Sequence, residues 1–263
     1  MWNKALALYS YLIFGLLSAL AIPTLAVLWV VTWPVDRTRW APGRALRLVA
    51  VAIAKLCPVW RLEMEKGSKR PARTFVAVAN HESMLDIFLI SHVGWEMKWV
   101  AKESIFRIPV FGWLFRLSGD IALRREDRDS GTAALEKAER YLRDGMPVMF
   151  FPEGTRSQTD ELRPFKLGAF KAAIRAGVPI LPIAVHGTRD GMPVGSPWIR
   201  RAHARGVVLP LVETTGLQES DAAALADRVK ALIVAQRDQL IRERQGRKRP
   251  AAIPTAQPSS RTG

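Results

Sequence analysis

The stretch from Asn80 to Asp86 (NHESMLD) contains the pair of side chains best suited to chemistry in this sequence. His81 and Asp86 are five residues apart, so inside one ideal helix their side chains would point about 140° apart. They can meet only if His81 lies on a turn before a helix and Asp86 lies in the first turns of that helix. Asp86 would then accept a hydrogen bond from one imidazole nitrogen and leave the other free to take a proton. On spacing alone, a loop histidine and a helix-capping aspartate form an equally good interpretation.

The rest of the sequence limits the reactions in which His81 and Asp86 could take part. No Ser or Cys lies in a nucleophile-elbow motif, so the pair predicts a general base whose nucleophile, for example a hydroxyl, belongs to the substrate. The single cysteine, Cys57, excludes a disulfide framework within the chain and a cysteine zinc cluster. We interpret Cys57 as a small buried residue, and no cluster of ligands in the sequence predicts a metal site.

Two further segments combine a predicted strand with residues that can bind anions. In Phe151–Ser157 (FPEGTRS), Gly154 lets the backbone approach a ligand, and the guanidinium of Arg156 can bind an anion through two hydrogen bonds. In Gly119–Arg125 (GDIALRR), two arginines follow a strand, and adjacent strand residues point to opposite faces. Only one of these arginines can therefore face a given site. An ordinary turn and two solvated surface charges are the alternatives.

Strands that alternate with helices must position these segments. The predicted strands are Phe75–Ala79, Trp99–Ala101, Ile121–Leu123, Pro147–Phe151, Val178–Val185 and Val207–Val212. The predicted helices are Met84–Val93, a stretch ending near Leu117, Ser130 to just before Gly145, Leu167–Ala176, and a last helix capped by Ser220 and Asp221 that ends near Glu243. This order predicts an α/β fold with a largely parallel sheet flanked by helices. His81 would lie at the carboxyl end of a strand, where such sheets bind ligands.

The N-terminus predicts a membrane-embedded helical element. From Ala5 to Val35 there is no charged residue, and the run is longer than the roughly 20 residues that cross a bilayer as a helix. Aromatic residues lie near both ends, and the arginines that follow Val35 predict that this side faces the cytoplasm. The alternative is a signal peptide cleaved near Ala19–Ala21.

A second helix is predicted from Trp40 to Val59. Its basic residues Arg44, Arg47 and Lys55 fall on one side and apolar residues on the other, which is typical of a helix in the headgroup layer. The two helices fit either a spanning helix with an interfacial one or a bent hairpin in one leaflet. The predicted organisation is a membrane anchor and amphipathic helix in 1–60, an α/β domain in 61–243 and a disordered basic tail in 244–263.

The charge distribution favours a membrane partner over a nucleic acid. The chain has a net charge of +15, but residues 74–241 contribute only +2, while 36–73 contribute +7 and 242–263 contribute +5. A nucleic-acid-binding protein would be expected to have a basic stripe on its folded body. Basic residues beside an apolar segment indicate anionic lipid instead.

Four motifs in order make the sequence resemble the glycerolipid acyltransferases, and the lysophosphatidic acid acyltransferases in particular. Their blocks correspond here to Asn80-His81 with Asp86, Gly119–Arg125, Phe151–Arg156 and Val178–Pro182, and Lys102 with Pro109 and Gly112 fits a further family segment. Taken from the residues alone, Val178–Pro182 is a core strand. The family often has an acidic residue before the arginine of the second block, whereas this chain has Arg124, so the family arginine falls on Arg125.

The resemblance implies a reaction and a set of site residues. His81, oriented by Asp86, would deprotonate the free hydroxyl of a lysophospholipid, which attacks the thioester of acyl-CoA or an acyl carrier protein. The phosphate end of the acceptor would be held by Lys102, Arg125, Glu153, Gly154, Thr155 and Arg156, with Glu153 orienting basic groups or a glycerol hydroxyl. The reaction needs no cofactor and no metal. The product from lysophosphatidic acid would be phosphatidic acid, an intermediate of phospholipid biosynthesis.

Other readings of the same residues remain open. Arg124 motivates a different acceptor, such as another lysophospholipid or a lyso-ornithine lipid. A lipid-binding protein with a decayed site, and a thioesterase or lipid hydrolase that uses water, are alternatives from other classes. The expected location is the inner membrane, with the active site facing the cytoplasm.

Overall fold

The computed structural model describes residues 2–67, 70–124, 127–157, 159, 161–196 and 198–248. Within these residues the fold is a seven-stranded sheet in the order β1-β7-β6-β2-β5-β3-β4. All neighbouring strands are parallel except β6 and β7, which are antiparallel. The strands are β1 (Trp60–Glu65), β2 (Val76–Ala79), β3 (Lys98–Lys102), β4 (Ile121–Leu123), β5 (Val148–Phe150), β6 (Ile180–His186) and β7 (Ala202–Val208). The predicted α/β fold with a largely parallel sheet is confirmed.

Helices cover both faces of this sheet. They are α1 (Trp2–Thr32), α2 (Trp40–Leu56), α3 (Leu85–Ser91), α4 (Phe111–Leu117), α5 (Arg128–Arg143), α6 (Gly168–Ala176) and α7 (Ala222–Lys248). In β2, Val76 and Val78 pack towards α5, α6 and α7, while Ala77 and Ala79 pack towards α3. Strand β2 is buried on both faces, which explains why its sequence is continuously apolar rather than alternating.

The two N-terminal helices pack against each other and against the body. Helix α1 contacts α2 and α4, and α2 contacts α3. Among the described helices, α1 alone contains a segment, Ala5–Thr32, long and apolar enough to cross a membrane. Cys57, directly after α2, is buried as predicted, and its thiol lies 3.1 Å from the hydroxyl of Ser10 in α1.

One prediction for α2 is wrong. Lys55 is exposed, but Arg47 is 2% exposed and its guanidinium donates to both carboxylate oxygens of Asp120 at 2.6 Å. The helical wheel correctly placed Arg47 beside Arg44, but a wheel cannot reveal a buried acidic partner 73 residues away. The predicted basic stripe is therefore divided between the interior of the protein and its surface.

Several element boundaries also differ from the predictions. Strand β1 was not predicted, and β7 begins five residues before the predicted Val207–Val212 strand, of which only Val207 and Val208 belong to it. Gln218 and Asp221 cap a 3₁₀ turn, Glu219–Asp221, that leads into α7. Helix α7 continues to Lys248, so residues 244–248 are helical rather than part of a tail. The rest of the predicted tail lies outside the described residues.

Candidate active site

The turn between β2 and α3 brings His81 and Asp86 together. Nδ1 of His81 lies 2.7 Å from Oδ2 of Asp86, which is in the first turn of α3. The same carboxylate oxygen accepts hydrogen bonds from the backbone N–H groups of Glu82 at 2.8 Å and Ser83 at 3.0 Å. Asp86 therefore binds the imidazole and the backbone of the turn at once, so the two interpretations of the spacing are compatible.

His81 is held on a second side by an aromatic ring. Its imidazole stacks on Phe151, with ring centroids 4.0 Å apart and an interplanar angle of 18°. The residue is 8% exposed and lines a cavity of about 270 Å³. No hydrogen bond from the described part of the chain reaches Nε2. With Nδ1 engaged by Asp86, Nε2 is the nitrogen available to exchange a proton.

The residues on either side of His81 tie the turn to β6. The side-chain amide of Asn80 donates to the carbonyl of Val185 at 2.9 Å and accepts from its N–H at 2.8 Å. Glu82, which is 3% exposed, accepts from the N–H of Gly187 at 3.0 Å and lies 3.3 Å from Nε of Arg237 in α7. These long-range contacts fix the backbone on both sides of the imidazole.

The pKa of Glu82 lies below its ordinary value despite this burial. Burial alone would raise that pKa, but the hydrogen bond with His186 and the charges of His186, Arg237 and Arg189 lower it by more. Glu82 is therefore a carboxylate in the folded protein at neutral pH.

Glu153 connects the Phe151–Arg156 motif to the turn that carries His81. Its Oε1 accepts from the N–H of His81 at 2.8 Å, and its Oε2 accepts from the N–H of Arg163 at 3.1 Å. Both oxygens thus bind backbone amides, whereas the sequence had predicted basic groups or a substrate hydroxyl as partners. Burial raises the pKa of Glu153, and these two hydrogen bonds oppose that rise.

The cavity beside His81 is mainly apolar and has cationic groups on its wall. Its apolar lining includes Trp99, Ile105, Phe115, Leu123, Leu135 and Phe150. Lys102, at the end of β3, Arg124, after β4, and Lys166, before α6, also line it. Gly154 has a φ of +70°, and the side chain of Lys166 lies in the place that a Cβ at this position would need. The arrangement suits a ligand with a long apolar part and an anionic part.

The predicted anion-binding residues differ in where they lie. Lys102 and Gly154 line the cavity, while Thr155 and Arg156 lie half-buried on the same turn as Gly154 without lining it. Arg125 lies outside the described residues. The neighbouring Arg124 binds Glu103 at 2.8 Å and Asp127 at 3.2 Å, and hydrogen bonds from Arg124 and Arg107 lower the pKa of Glu103 to about 2.

Sequence reasoning missed four residues around the pair: Phe151 as a stacking partner, Lys166, Thr188 and Arg237. One of them left a signal in the sequence. Val229, Ile233 and Leu240 form the buried stripe of α7, and Arg237 follows Ile233 by four residues on that stripe. A charged residue on an apolar stripe indicates a buried partner. In the described part of the chain, no group of three or more His, Cys, Asp or Glu side chains is placed to hold a metal ion.

Comparisons with known proteins define the class of this protein as acyltransferase. The Acyltransferase family model matches residues 61–186, which include His81, Asp86 and the Phe151–Ser157 turn. The 1-acyl-sn-glycerol-3-phosphate acyltransferase of Escherichia coli is 30% identical over 203 residues, which are 73% of this chain and 80% of that protein. The chain belongs to the 1-acyl-sn-glycerol-3-phosphate acyltransferase family.

Other members show how far the likeness extends. A 1-acyl-sn-glycerol-3-phosphate acyltransferase of Chlamydomonas reinhardtii is 43% identical over 146 residues, which are 55% of this chain and 44% of that protein. The chain thus spans less than half the length of this and other plant and algal relatives that it matches. The crystal structure of the LPA acyltransferase PlsC from Thermotoga maritima superposes with a TM-score of 0.72 and 25% identity, covering 95% of this chain and 98% of that one.

Proposed function

We propose that this protein transfers an acyl chain from a thioester donor to the free hydroxyl of 1-acyl-sn-glycerol-3-phosphate, giving phosphatidic acid. The observation that carries the proposal is the 2.7 Å contact between His81 Nδ1 and Asp86 Oδ2, with His81 lining the apolar cavity. The names of the relatives supply the acceptor, because those in Escherichia coli and Thermotoga maritima are acyltransferases for this lysolipid.

The His81–Asp86 geometry supports a direct transfer. Nε2 of His81 takes the proton of the acceptor hydroxyl as its oxygen attacks the thioester carbonyl, and Asp86 stabilises the imidazolium that forms. The tetrahedral intermediate then collapses, the C–S bond breaks, and the imidazolium returns the proton to the departing thiolate. The ester and a free thiol are the products. The backbone contacts of Glu153 and Asp86 keep the imidazole in place through both steps.

The cavity supports a division of the substrates between its apolar and cationic walls. An acyl chain would lie along the apolar surface that includes Trp99 and Leu135. The phosphate of the acceptor would bind the cationic groups, of which Lys102 is an exposed member that lines the cavity. Arg125 and Arg156 are proposed to complete this phosphate site. The reaction requires acyl-CoA or acyl carrier protein as co-substrate and no metal or cofactor.

The N-terminal helices support a location at a membrane. Leu12, Leu16 and Val27 of α1 are more than half exposed, so this helix presents an apolar surface to its surroundings. Basic residues in 36–73 would bind anionic headgroups, which include lysophosphatidic acid itself. We propose that the protein lies at the inner membrane with His81 on the cytoplasmic side, where the acceptor comes from the bilayer and the donor from water.

A reconstitution experiment tests the reaction and the acceptor together. Purified protein receives a mixed pool of acyl-CoA and acyl carrier protein thioesters with lysophosphatidic acid, another lysophospholipid or lyso-ornithine lipid, and the products are identified by mass spectrometry. We expect phosphatidic acid from wild-type protein, and a rate of its formation at least about a hundred-fold lower from His81→Ala. If only another lysolipid is acylated, that lysolipid and not lysophosphatidic acid is the acceptor. If the donor is consumed and no lysolipid is acylated, the protein is a hydrolase.

A further inference from the structure

The end of β6 places two hydrogen-bond donors beneath the His81 turn. The N–H of Gly187 donates to Oε2 of Glu82 at 3.0 Å, and the hydroxyl of Thr188 donates to Oδ1 of Asp86. Thr188 is fully buried and also lies 3.5 Å from Oε2 of Glu82. Because a hydroxyl has one proton, its closer contact, Asp86, is the acceptor.

Gly187 is needed for this approach. Its φ is +91°, a conformation that side chains other than hydrogen strongly disfavour. A Cβ there would lie 2.5 Å from the carbonyl oxygen of His203. The glycine lets the chain turn between β6 and β7 so that the next residue points at Asp86.

The two oxygens of Asp86 have different surroundings. Oδ2 binds the imidazole of His81 and two backbone N–H groups, whereas the contact that the structure describes on Oδ1 is the hydroxyl of Thr188. Contacts at one oxygen alone let a carboxylate rotate about that point. A donor at the second oxygen fixes the plane of the carboxylate, and with it the orientation of the imidazole.

We propose that Thr188 is a positioning residue for the His81–Asp86 pair, with its hydroxyl fixing the carboxylate of Asp86 through Oδ1. The inference rests on the proposed transfer reaction, in which His81 acts as the base. It assigns a role to the second residue after β6, whereas β6 itself contributes no side chain to the described contacts of Asp86.

Loss of the hydroxyl has two expected consequences. The imidazole becomes less well oriented, which lowers kcat more than it changes KM. The carboxylate of Asp86 can also rotate away from Nδ1 of His81, which lengthens the hydrogen bond between them. The charged groups packed around the pair do not change with residue 188; they are Glu82, Glu153, His186, Arg189 and Arg237.

The test compares three variants. Thr188→Val removes the hydroxyl at nearly constant volume, and Thr188→Ser keeps it. Thr214→Val is the matched control, because Thr214 is also buried, at 4% exposure, and donates to the carbonyl of Val178 at 2.9 Å, away from His81. Thermal unfolding establishes that all three proteins fold.

We expect Thr188→Val to lower kcat about ten- to a hundred-fold, the range for loss of one hydrogen bond to a buried charge, with KM changed less. Thr188→Ser should retain kcat within about three-fold of wild type, and Thr214→Val should leave both kcat and KM unchanged. If Thr188→Val behaves like Thr214→Val, the positioning role is refuted.

A measurement without substrate separates this inference from the proposed function. NMR at one fixed pH follows the Nδ1 proton of His81, whose signal is identified by its loss in His81→Ala, in a chain with four histidines. Thr188→Val should move this signal upfield, because a longer hydrogen bond to Asp86 deshields the proton less, while Thr214→Val should leave it unchanged. A signal in Thr188→Val that is unchanged or moves downfield overturns the inference. If wild-type protein acylates no lysolipid, the proposed function fails while this signal still decides the contact between Thr188 and Asp86.

Discussion

Two clusters of buried charged residues in the described part of the chain differ in whether a member of the cluster faces the cavity. The dyad cluster consists of His81, Glu82, Asp86 and Arg237. The α2 cluster consists of Arg47, Glu96, Lys98 and Asp120. Seven of these eight residues are no more than 3% exposed, and His81, at 8%, is the exception. His81 alone among them lines the cavity.

The charged groups of the α2 cluster bind one another and nearby backbone carbonyls, and none of these residues lines the cavity. Nζ of Lys98 donates to Glu96 at 2.9 Å and to the carbonyls of Arg39 and Ser118 at 2.8 Å each. Asp120 binds the guanidinium of Arg47 at 2.6 Å. These contacts attach α2 to the ends of β3 and α4, so the cluster acts on the position of the N-terminal helices.

The pKa values of the glutamates in the two clusters are shifted in opposite directions. The pKa of Glu82 is lowered, as described above. Burial raises the pKa of Glu96 by more than the charges of Lys98 and Arg47 lower it, and Asp120 adds to the rise. Buried charge by itself therefore does not identify an active site. What distinguishes the dyad cluster is a proton-accepting atom that faces a cavity.

The largest expected effect is on catalysis. His81→Ala should reduce kcat/KM about 10²- to 10⁴-fold, the usual contribution of a general base, with little loss of stability because the residue is at the edge of its cluster. Transfer assays and thermal unfolding measure the two quantities. Near-wild-type turnover in this variant would refute the mechanism.

The next effect is on stability and belongs to the α2 cluster. Asp120→Asn leaves two buried cations, Arg47 and Lys98, to share the single carboxylate of Glu96 within the cluster, which should lower the free energy of unfolding by about 3–5 kcal/mol. Denaturant unfolding in detergent measures the change. The folded fraction should keep the wild-type kcat, because Asp120 does not line the cavity. A loss of kcat without a loss of stability would mean that the α2 cluster takes part in the reaction.

The two glutamates should respond to pH with opposite signs. The lowered pKa of Glu82 stabilises the fold above its unfolded pKa of about 4.3, and this stability is lost as pH falls through the folded pKa. The raised pKa of Glu96 gives a contribution that is present below about 4.3 and lost as pH rises through the folded pKa. From pH 4 to 8, destabilisation by Glu82→Gln should grow and that by Glu96→Gln should shrink. Urea unfolding of both variants at each pH measures the loss of stability. If the two losses change in the same direction with pH, the predicted opposite pKa shifts are wrong.

The smallest effect should come from an exposed ion pair. Arg124 and Glu103 are both partly exposed, so Arg124→Ala should leave thermal unfolding unchanged. We also expect this variant to raise the KM for the phosphorylated acceptor less than Arg125→Ala does, with the KM for the donor unchanged in both. The reverse order would show that the motif register is displaced by one residue.

The local part of the site could be predicted from the sequence. His81 and Asp86 are five residues apart, and the change from an apolar strand to a helical pattern between them determines how they meet. Strand β2 and helix α6 were predicted for the same reason: a continuous apolar run and a helix closed by Gly177 are signals that neighbouring residues carry.

The tertiary structure alone decided the partners that complete the site. Thr188 lies 102 residues from Asp86 and Arg237 lies 155 from Glu82, so no local pattern links them. The start of strand β7 was missed because three of its four buried residues, Ala202, Ala204 and Gly206, are small, which weakens the strand signal. The burial of Arg47 was missed for a similar reason, because a buried arginine and a surface arginine can have the same helical spacing. Local propensity and spacing determine elements and short-range pairs, whereas the burial of a charge depends on which distant residue the fold brings to it.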